Sequence, residues 1–271
     1  MIPAKFDYEV AESVEQAIEL LGSRDEAKLL AGGHSLLPLM RLRFARPDLL
    51  VDIGRLRELS YVREEEDRIA IGALTRHHDL EHDPVLSRSC GMVAHVAGQI
   101  GDPQVRHLGT IGGSVAHGDP ASDMPTVLVA LDAELVVHGP NGERVEAAAD
   151  FFRGVFETAL GPQDVLTEIR VPKVDRGWAY QKFHRRAQDW AVVGVAAARS
   201  NGGAVVALTN MGPTPLRARA VEDALAAGAD AAAAADRADE GTSPPSDTTA
   251  SAEFRRHLAK VLTRRALEEA G

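Results

Sequence analysis

Two short glycine-containing segments carry the residues best suited to bind an anion. "AGGHS" spans residues 31–35 and "TIGGS" spans residues 110–114, and each lies at the start of a run that predicts a helix. Glycine permits φ > 0 and a close approach of the backbone, and the first turn of a helix offers N–H groups and a positive dipole end. Each segment alone is weak evidence for an anion site, because a tight turn that only joins a strand to a helix explains it as well or better. Together they favour a phosphate site, with one long ligand such as a dinucleotide gripped from two sides.

Other patterns for anion binding or catalysis are missing. The chain has no G-x-x-x-x-G-K-[ST] run, and neither glycine segment gives G-x-G-x-x-G at the first βα turn, so neither a P-loop nor a Rossmann site is supported. No Ser–His–Asp arrangement has support beyond the presence of those residue types. His77, His78 and His82 in "RHHDLEHD" lie close together in the sequence, but no set of histidines and carboxylates there has the spacing of metal ligands with a third donor in place. We interpret them as the solvated start of a helix, and predict no metal site and no catalytic residue.

Composition narrows the range of partners. The 271-residue chain has a net charge of −10 and 45 % apolar residues, which disfavours a nucleic-acid partner and allows sizeable cores. No apolar run reaches the length of a membrane span, and "MIPAKFDYEV" lacks the pattern of a signal peptide. We therefore expect a cytoplasmic protein. Cys90 is the only cysteine, so an iron–sulfur cluster held by four thiolates would belong to another chain, and Cys90 itself is expected to be buried.

Periodicity divides the chain into three parts. A β–α unit opens it, with Ser13 and Gln16 as a capping box and Gly22 as the stop of the first helix. The middle part contains a hairpin of "AELVVHG" and "ERVEAA" around a Pro-Asn-Gly turn. The last part has three strands, an alanine-rich helix near 219–238 and a closing helix from Ser251. Pro172 and "KVDRG" mark the last boundary, and the predicted class is α+β.

Three segments together resemble a known family: "AGGHSLLPLM", "GDPQVRHLGTIGGSVAHGDPASDMP" and "KFHRRAQDWAVVGVAA". They are similar to the FAD-binding medium subunit of the molybdenum hydroxylases, the group of xanthine dehydrogenase and aerobic carbon monoxide dehydrogenase, and most like the latter type. The resemblance covers essentially the whole chain. It implies a two-part FAD-binding domain (1–56 and 57–173) of the type seen in vanillyl-alcohol oxidase and in the reductase of UDP-N-acetylenolpyruvylglucosamine. A C-terminal domain (174–271) of a three-stranded antiparallel sheet and helices follows.

The resemblance also implies a set of FAD-binding residues. Those assigned to the diphosphate and its surroundings are Ala31, Gly32, Gly33, His34, Ser35, Leu36, Thr110, Ile111, Gly112, Gly113 and Ser114. Lys28 and Leu29 are assigned to the adenine side, and Leu166 and Lys182 complete the set.

Two further residues of this set have alternatives. Asp123 is expected to bind ribityl or ribose hydroxyls, and the alternative is an N-cap for "MPTVLVALD". Trp190 stands where many relatives have tyrosine, and is expected to cover one face of the isoalloxazine ring without the phenolic hydroxyl. The alternative is a core tryptophan packed on Val192 and Val193.

The implied function is electron transfer. In such complexes a small subunit carries two [2Fe–2S] clusters and a large subunit a molybdopterin centre that oxidises the substrate. This chain would pass electrons from the clusters through FAD to a quinone, cytochrome, dioxygen or NAD⁺, in a dimer of heterotrimers, with contact to the inner membrane face through the acceptor. The alternatives are a self-sufficient flavin oxidase or reductase, and a scaffold that has lost FAD. The substrate (carbon monoxide, an aldehyde, a purine or an N-heterocycle) is not encoded in this chain.

Overall fold

The computed structural model describes residues 2–174, 177–200 and 203–271. The predicted boundary segment "KVDRG" therefore lies partly outside the described residues, because Asp175 and Arg176 fall in the first gap.

The N-terminal part is a three-stranded parallel sheet with two helices. Its elements in chain order are β1 (Asp7–Val10), α1 (Val14–Gly22), β2 (Ala27–Leu30), α2 (Leu36–Leu42) and β3 (Leu49–Asp52). The strand order is β1-β3-β2. Ser13 Oγ accepts from the N–H of Gln16, as the capping box predicts. The first helix ends at Gly22 as predicted, but Gly22 is its last helical residue and Ser23 caps it in an ordinary right-handed conformation, so no left-handed glycine ends it.

The middle part is built on a five-stranded antiparallel sheet of order β4-β5-β10-β6-β7. Its strands are β4 (Val62–Glu64), β5 (Arg68–Gly72), β6 (Glu134–Gly139), β7 (Gly142–Ala147) and β10 (Val165–Pro172). The short strands β8 (Phe152–Gly154) and β9 (Glu157–Thr158) pair separately. The predicted hairpin is β6–β7, with its turn at Pro140 and Asn141, and Gly142 begins β7 with φ +101°.

Helices pack on the middle sheet and carry the second glycine segment. They are α3 (His77–His82), α4 (Pro84–Ser89), α5 (Gly91–Ala97), α6 (Pro103–Arg106), α7 (Ile111–His117), α8 (Asp123–Ala130) and α9 (Ala148–Phe151). Cys90 is fully buried in the core between this sheet and its helices, as expected. Burial raises the pKa of its thiol to about 12, which keeps it protonated.

The C-terminal part is an antiparallel sheet covered by helices. Its elements are β11 (Trp178–Phe183), β12 (Val193–Ser200), β13 (Gly203–Thr209), β14 (Leu216–Arg217), α10 (Arg219–Ala226), α11 (Ala231–Ala235) and α12 (Ala252–Ala270). The expected three strands are present, and the two-residue β14 makes a fourth. The alanine-rich segment is two helices, because Gly228 takes φ +89° between them. Ser251 caps the closing helix as predicted.

Each part has its own hydrophobic core. One lies between α1 and the parallel sheet, one under the middle sheet, and one between the C-terminal sheet and α12. The middle core extends to Tyr180 and Ala196 of the C-terminal sheet, so the two sheets pack together through α8. No helix among the described residues has the length and apolarity needed to cross a membrane.

Candidate functional site

A single large cavity of about 950 Å³ collects the predicted site residues. Its walls come from the first glycine segment, the second glycine segment, β10, the chain around β8–β9 and the loop before β12. Every predicted site residue except Ile111 lines this cavity. A volume of this size is at the upper end of what small-molecule and cofactor sites need.

The first glycine segment forms an open cradle of backbone amides. Gly33 has φ +73°, a conformation in which a side chain is strained. In the described part of the chain, no hydrogen-bond acceptor is found for any of the five N–H groups from Gly32 to Leu36. Consecutive amides without partners at a left-handed turn make a concave anion site. The phosphate prediction requires a geometry of this kind.

Gly32 brings the two glycine segments together. A Cβ atom on Gly32 would lie 2.1 Å from the carbonyl oxygen of Leu108 and 2.9 Å from the Cα atom of Gly109. Only glycine allows this contact between two backbones. Since Leu108 and Gly109 directly precede Thr110, the two segments are neighbours and can share one ligand.

The second glycine segment differs from its expected form. Gly112 and Gly113 lie in the first turn of α7 and neither has positive φ. The four N–H groups from Ile111 to Ser114 are already bonded, at 2.8–3.1 Å, to the carbonyl oxygens of Thr75, Ala73 and Thr110 and to Thr110 Oγ1. The predicted free amides at this helix start are therefore wrong. What this segment presents to the cavity is small surface and hydroxyl groups.

Ile111 is the one predicted site residue that the structure places elsewhere. Its side chain is fully buried in the middle core and does not reach the cavity. The residue after Ile111, Gly112, has to be glycine, because a Cβ atom there would lie 2.6 Å from both the Cβ and the carbonyl oxygen of Ala73. Helix α7 is thus pressed directly onto the chain that follows β5.

A buried histidine stands behind the second segment. His77 is 1 % exposed and lines the cavity, so its interpretation as part of a solvated helix start is wrong. Its Nε2 lies 2.9 Å from Ser114 Oγ. Burial, followed by the charge of Arg106, lowers the pKa of His77 to about 4. The ring is therefore neutral at physiological pH.

A buried ion pair connects the middle and C-terminal parts at another wall of the cavity. Lys182 Nζ donates to Asp123 Oδ2 at 2.7 Å, and the Tyr180 hydroxyl donates to Oδ1 at 2.6 Å. Burial and the charge of Asp123 raise the pKa of Tyr180 well above its usual value. Asp123 is the first helical residue of α8, Ser122 occupies the N-cap position, and Asp123 accepts from no backbone N–H among the described residues. The N-cap alternative is therefore wrong.

Trp190 lies at the mouth of the cavity. It lines the cavity and is 56 % exposed, whereas Val192 and Val193 are buried in the C-terminal core. The alternative of a core tryptophan is therefore wrong. An exposed indole at the rim leaves a flat apolar face available for a ring.

One wall of the cavity contains no residue that the sequence predicted to be part of the site. It is formed by residues around β8–β9, namely Arg153, Phe156, Glu157, Thr158, Leu160, Gly161, Pro162 and Asp164. Phe156 has φ +58° and its ring lies 5.0 Å from that of His117. No spacing in this stretch suggests a site. An exposed phenylalanine in a left-handed conformation is visible only in three dimensions.

His78 and His82, the other two histidines of "RHHDLEHD", lie together near the surface with Glu81. A nitrogen of His78, a nitrogen of His82 and a carboxylate oxygen of Glu81 lie within 4.8 Å of one another, so a third donor is present that the sequence did not reveal. Arg106 Nε already donates to Glu81 at 2.8 Å, and His82 Nδ1 bonds the carbonyl of His78. These contacts account for the group, and we assign no metal to it.

Two family models match this chain, one over its N-terminal and middle parts and one over its C-terminal part. The FAD binding domain in molybdopterin dehydrogenase matches residues 4–174. The CO dehydrogenase flavoprotein C-terminal domain matches residues 178–270. Together they span all the sheets described above.

Relatives of full length include enzymes with different substrates. The chain is 43 % identical to the carbon monoxide dehydrogenase medium chain of Hydrogenophaga pseudoflava, covering 100 % of this chain and 98 % of that protein. It is 39 % identical to the glyceraldehyde dehydrogenase medium chain of Sulfolobus acidocaldarius, with 99 % of each covered.

Solved structures give the same picture. A carbon monoxide dehydrogenase from Hydrogenophaga pseudoflava superposes with a TM-score of 0.93 over 100 % of this chain and 98 % of that chain, at 43 % identity. Quinoline 2-oxidoreductase from Pseudomonas putida 86 gives a TM-score of 0.94 with the same coverage, at 31 % identity.

Proposed function

The chain belongs to the family of FAD-binding medium subunits of the molybdenum hydroxylases, and from that premise we propose how its cavity holds FAD and what it does in its complex. The proposed role is to hold FAD in the cavity between the glycine segments and to pass electrons from a partner's clusters to an external acceptor.

The observation that carries this proposal is the amide cradle. Five N–H groups without a partner in the described chain belong to Gly32–Leu36, which line the cavity beside Thr110 and Ser114 of the neighbouring second segment. A diphosphate has several anionic oxygens and no donors, so it complements this set of donors. The cavity also has apolar walls for the adenine and isoalloxazine rings, as cofactor sites do.

The remaining site residues are proposed to position the two ends of FAD. Lys28 and Leu29, on β2, line the cavity beside the first segment and are assigned to the adenine side. Leu166, on β10, lines the same cavity. Trp190 is proposed to cover the isoalloxazine ring at the exposed rim.

Asp123 and Lys182 are proposed to act as a unit. Their side chains are 5 % and 4 % exposed, and they neutralise each other at 2.7 Å. Both Asp123 oxygens already accept a hydrogen bond, and a carboxylate has further lone pairs for a ribityl or ribose hydroxyl. The pair also fixes α8 against β11, which holds the flavin end of the cavity in shape.

Bound FAD supplies redox chemistry that no side chain provides, namely the acceptance and release of electrons one or two at a time. The protein binds and orients the cofactor and limits access of water to it. None of these tasks requires a general base.

The partners are proposed from the relatives. We infer a small subunit with [2Fe–2S] clusters and a large subunit with a molybdopterin centre, assembled as a dimer of heterotrimers in the cytoplasm. Carbon monoxide is the first substrate to test, because the relative at 43 % identity is named for it. The relatives named for glyceraldehyde and for quinoline make an aldehyde and an N-heterocycle the next substrates to test.

Titration of the purified full chain with FAD tests the proposal. We expect one FAD per chain. Co-expression with the inferred small and large subunits should give a complex in which substrate reduces the flavin. A chain that binds no FAD would overturn the proposal. Substrate turnover by the isolated FAD-loaded chain would favour the self-sufficient oxidase instead.

A further inference from the structure

The contact between His77 and Ser114 decides whether the Ser114 hydroxyl acts as a hydrogen-bond donor or as an acceptor toward the cavity. His77 Nε2 and Ser114 Oγ are 2.9 Å apart, and either atom could supply the hydrogen. If serine donates, its lone pairs face the cavity. If histidine donates, the serine hydroxyl hydrogen is free to point at a ligand. The two arrangements therefore favour ligands of opposite character.

The other ring nitrogen decides between them. Nδ1 of His77 is buried and has no hydrogen-bond partner within the described residues. A neutral imidazole carries one proton, on Nδ1 or on Nε2. Placing it on Nδ1 would bury an N–H donor without an acceptor, whereas an unused acceptor lone pair is tolerated more often. The proton therefore belongs on Nε2.

The backbone holds the ring in this place. The His77 N–H donates to the carbonyl of Gly109 at 3.0 Å, which ties the start of α3 to the residue before Thr110. A Cβ atom on Gly109 would lie 3.2 Å from His77 Cδ2, so the absence of a side chain there lets the ring lie close. Burial lowers the pKa of His77 to about 4, so the ring stays neutral and keeps a single proton.

We propose that His77 is a positioning residue which donates from Nε2 to Ser114 Oγ and thereby commits the Ser114 hydroxyl to donate to an anionic oxygen of the ligand. This inference rests on the proposed function, in which the ligand is the diphosphate of FAD. It gives the second glycine segment, whose amides are all engaged, a donor of its own.

A double-mutant cycle on the full chain tests the coupling, with FAD affinity as the readout. Ser114→Ala removes the donor, and we expect FAD to bind about tenfold more weakly. His77→Leu removes the group that fixes the hydroxyl, which can then turn to the carbonyl of Thr110. We expect a similar loss, again about tenfold, and little further loss in the double variant.

His77→Gln is the matched control, since its side-chain amide can donate from a similar position. We expect it to bind FAD within about threefold of wild type. Equal losses from His77→Leu with and without Ser114→Ala would overturn the inference and make the ring a packing residue. A glutamine variant as weak as the leucine variant would overturn it as well.

A spectroscopic measurement covers the case in which the variants fold poorly. Histidine ¹⁵N NMR of the wild-type chain should show His77 protonated on Nε2 and bare on Nδ1. The Nδ1–H form would overturn the inference. Failure of wild-type chain to bind FAD refutes the proposed function, whereas FAD binding without coupling between the two positions refutes only the role of His77.

Discussion

The two glycine segments look alike in sequence and do different physical work. In residues 31–35 glycine permits a special backbone conformation. Gly33 has φ +73°, and the N–H groups that follow it have no hydrogen-bond partner in the described chain. In residues 110–114 glycine permits close packing. The absence of a side chain at Gly112 lets α7 contact Ala73, and every backbone N–H from Ile111 to Ser114 already donates a hydrogen bond.

The difference shows that a glycine pair at a helix start does not by itself make an anion site. A second condition is that the amides have no better partner within the fold. The first segment meets this condition. The second instead contributes a small surface and the hydroxyl of Ser114.

Gly33→Val should have the largest effect. Its side chain would be strained at φ +73° and its Cβ atom would lie 2.9 Å from Leu37 Cδ1, so the cradle must deform. We expect FAD affinity to fall by about a thousandfold or more, measured by titration. Gly142→Val is the matched control, with φ +101° and no neighbour within 4 Å, and it should keep FAD. Equal loss of FAD in the two variants would mean that strain alone is responsible.

Protonation of His77 should produce the next largest effect, on stability. Its folded pKa of about 4 lies below the ordinary value of 6.5, so between these values only the unfolded chain binds the proton. Stability is therefore full above pH 6.5 and is lost as pH falls toward 4, by about 3 kcal/mol in total. Urea unfolding at several pH values should show a steeper acid loss for wild type than for His77→Gln. Parallel curves would contradict this.

Gly112→Ala should lower the stability of the fold. The new methyl group would lie 2.6 Å from Ala73 Cβ, and the backbone on both sides has little room to move. We expect a loss of about 2 kcal/mol in the free energy of unfolding, as for other overpacked sites. A variant as stable as wild type would show that α7 can shift freely.

Gly113→Ala should act on binding instead. A Cβ atom there has a single neighbour within 4 Å, Thr110 Oγ1 at 2.9 Å, and it faces the cavity. We expect FAD affinity to fall about tenfold while stability changes by less than about 1 kcal/mol. The two alanine variants thus separate packing at Gly112 from binding at Gly113. Lower FAD affinity in Gly112→Ala together with lower stability in Gly113→Ala would contradict these roles.

Thr110→Val should have the smallest effect. It removes the oxygen that accepts the N–H of Gly113 at 3.1 Å at the start of α7. We expect a loss of about 1 kcal/mol in stability, with Thr110→Ser close to wild type. Thermal unfolding of the two variants side by side provides the measurement.

The local elements and most of the site residues could be predicted from the sequence. The long-range contacts that these residues make could not. Capping at Ser13 and Ser251 and the hairpin at Gly142 follow from neighbouring residues, so they could be predicted. The engaged amides of residues 111–114 depend on Ala73 and Thr75, which lie far away in the chain. The same holds for His77, because only the fold decides that a histidine in a polar run becomes buried. The wall around β8–β9 carries no motif at all.

Hydrogen–deuterium exchange of the full chain, with and without FAD, tests the central claim that the first cradle grips the ligand. We predict that the amides from Gly32 to Leu36 exchange rapidly without FAD and become protected when it binds. The amides from Ile111 to Ser114 should be protected in both states. Saturation with FAD that leaves the first set unprotected, or that protects only the second, would contradict the claim.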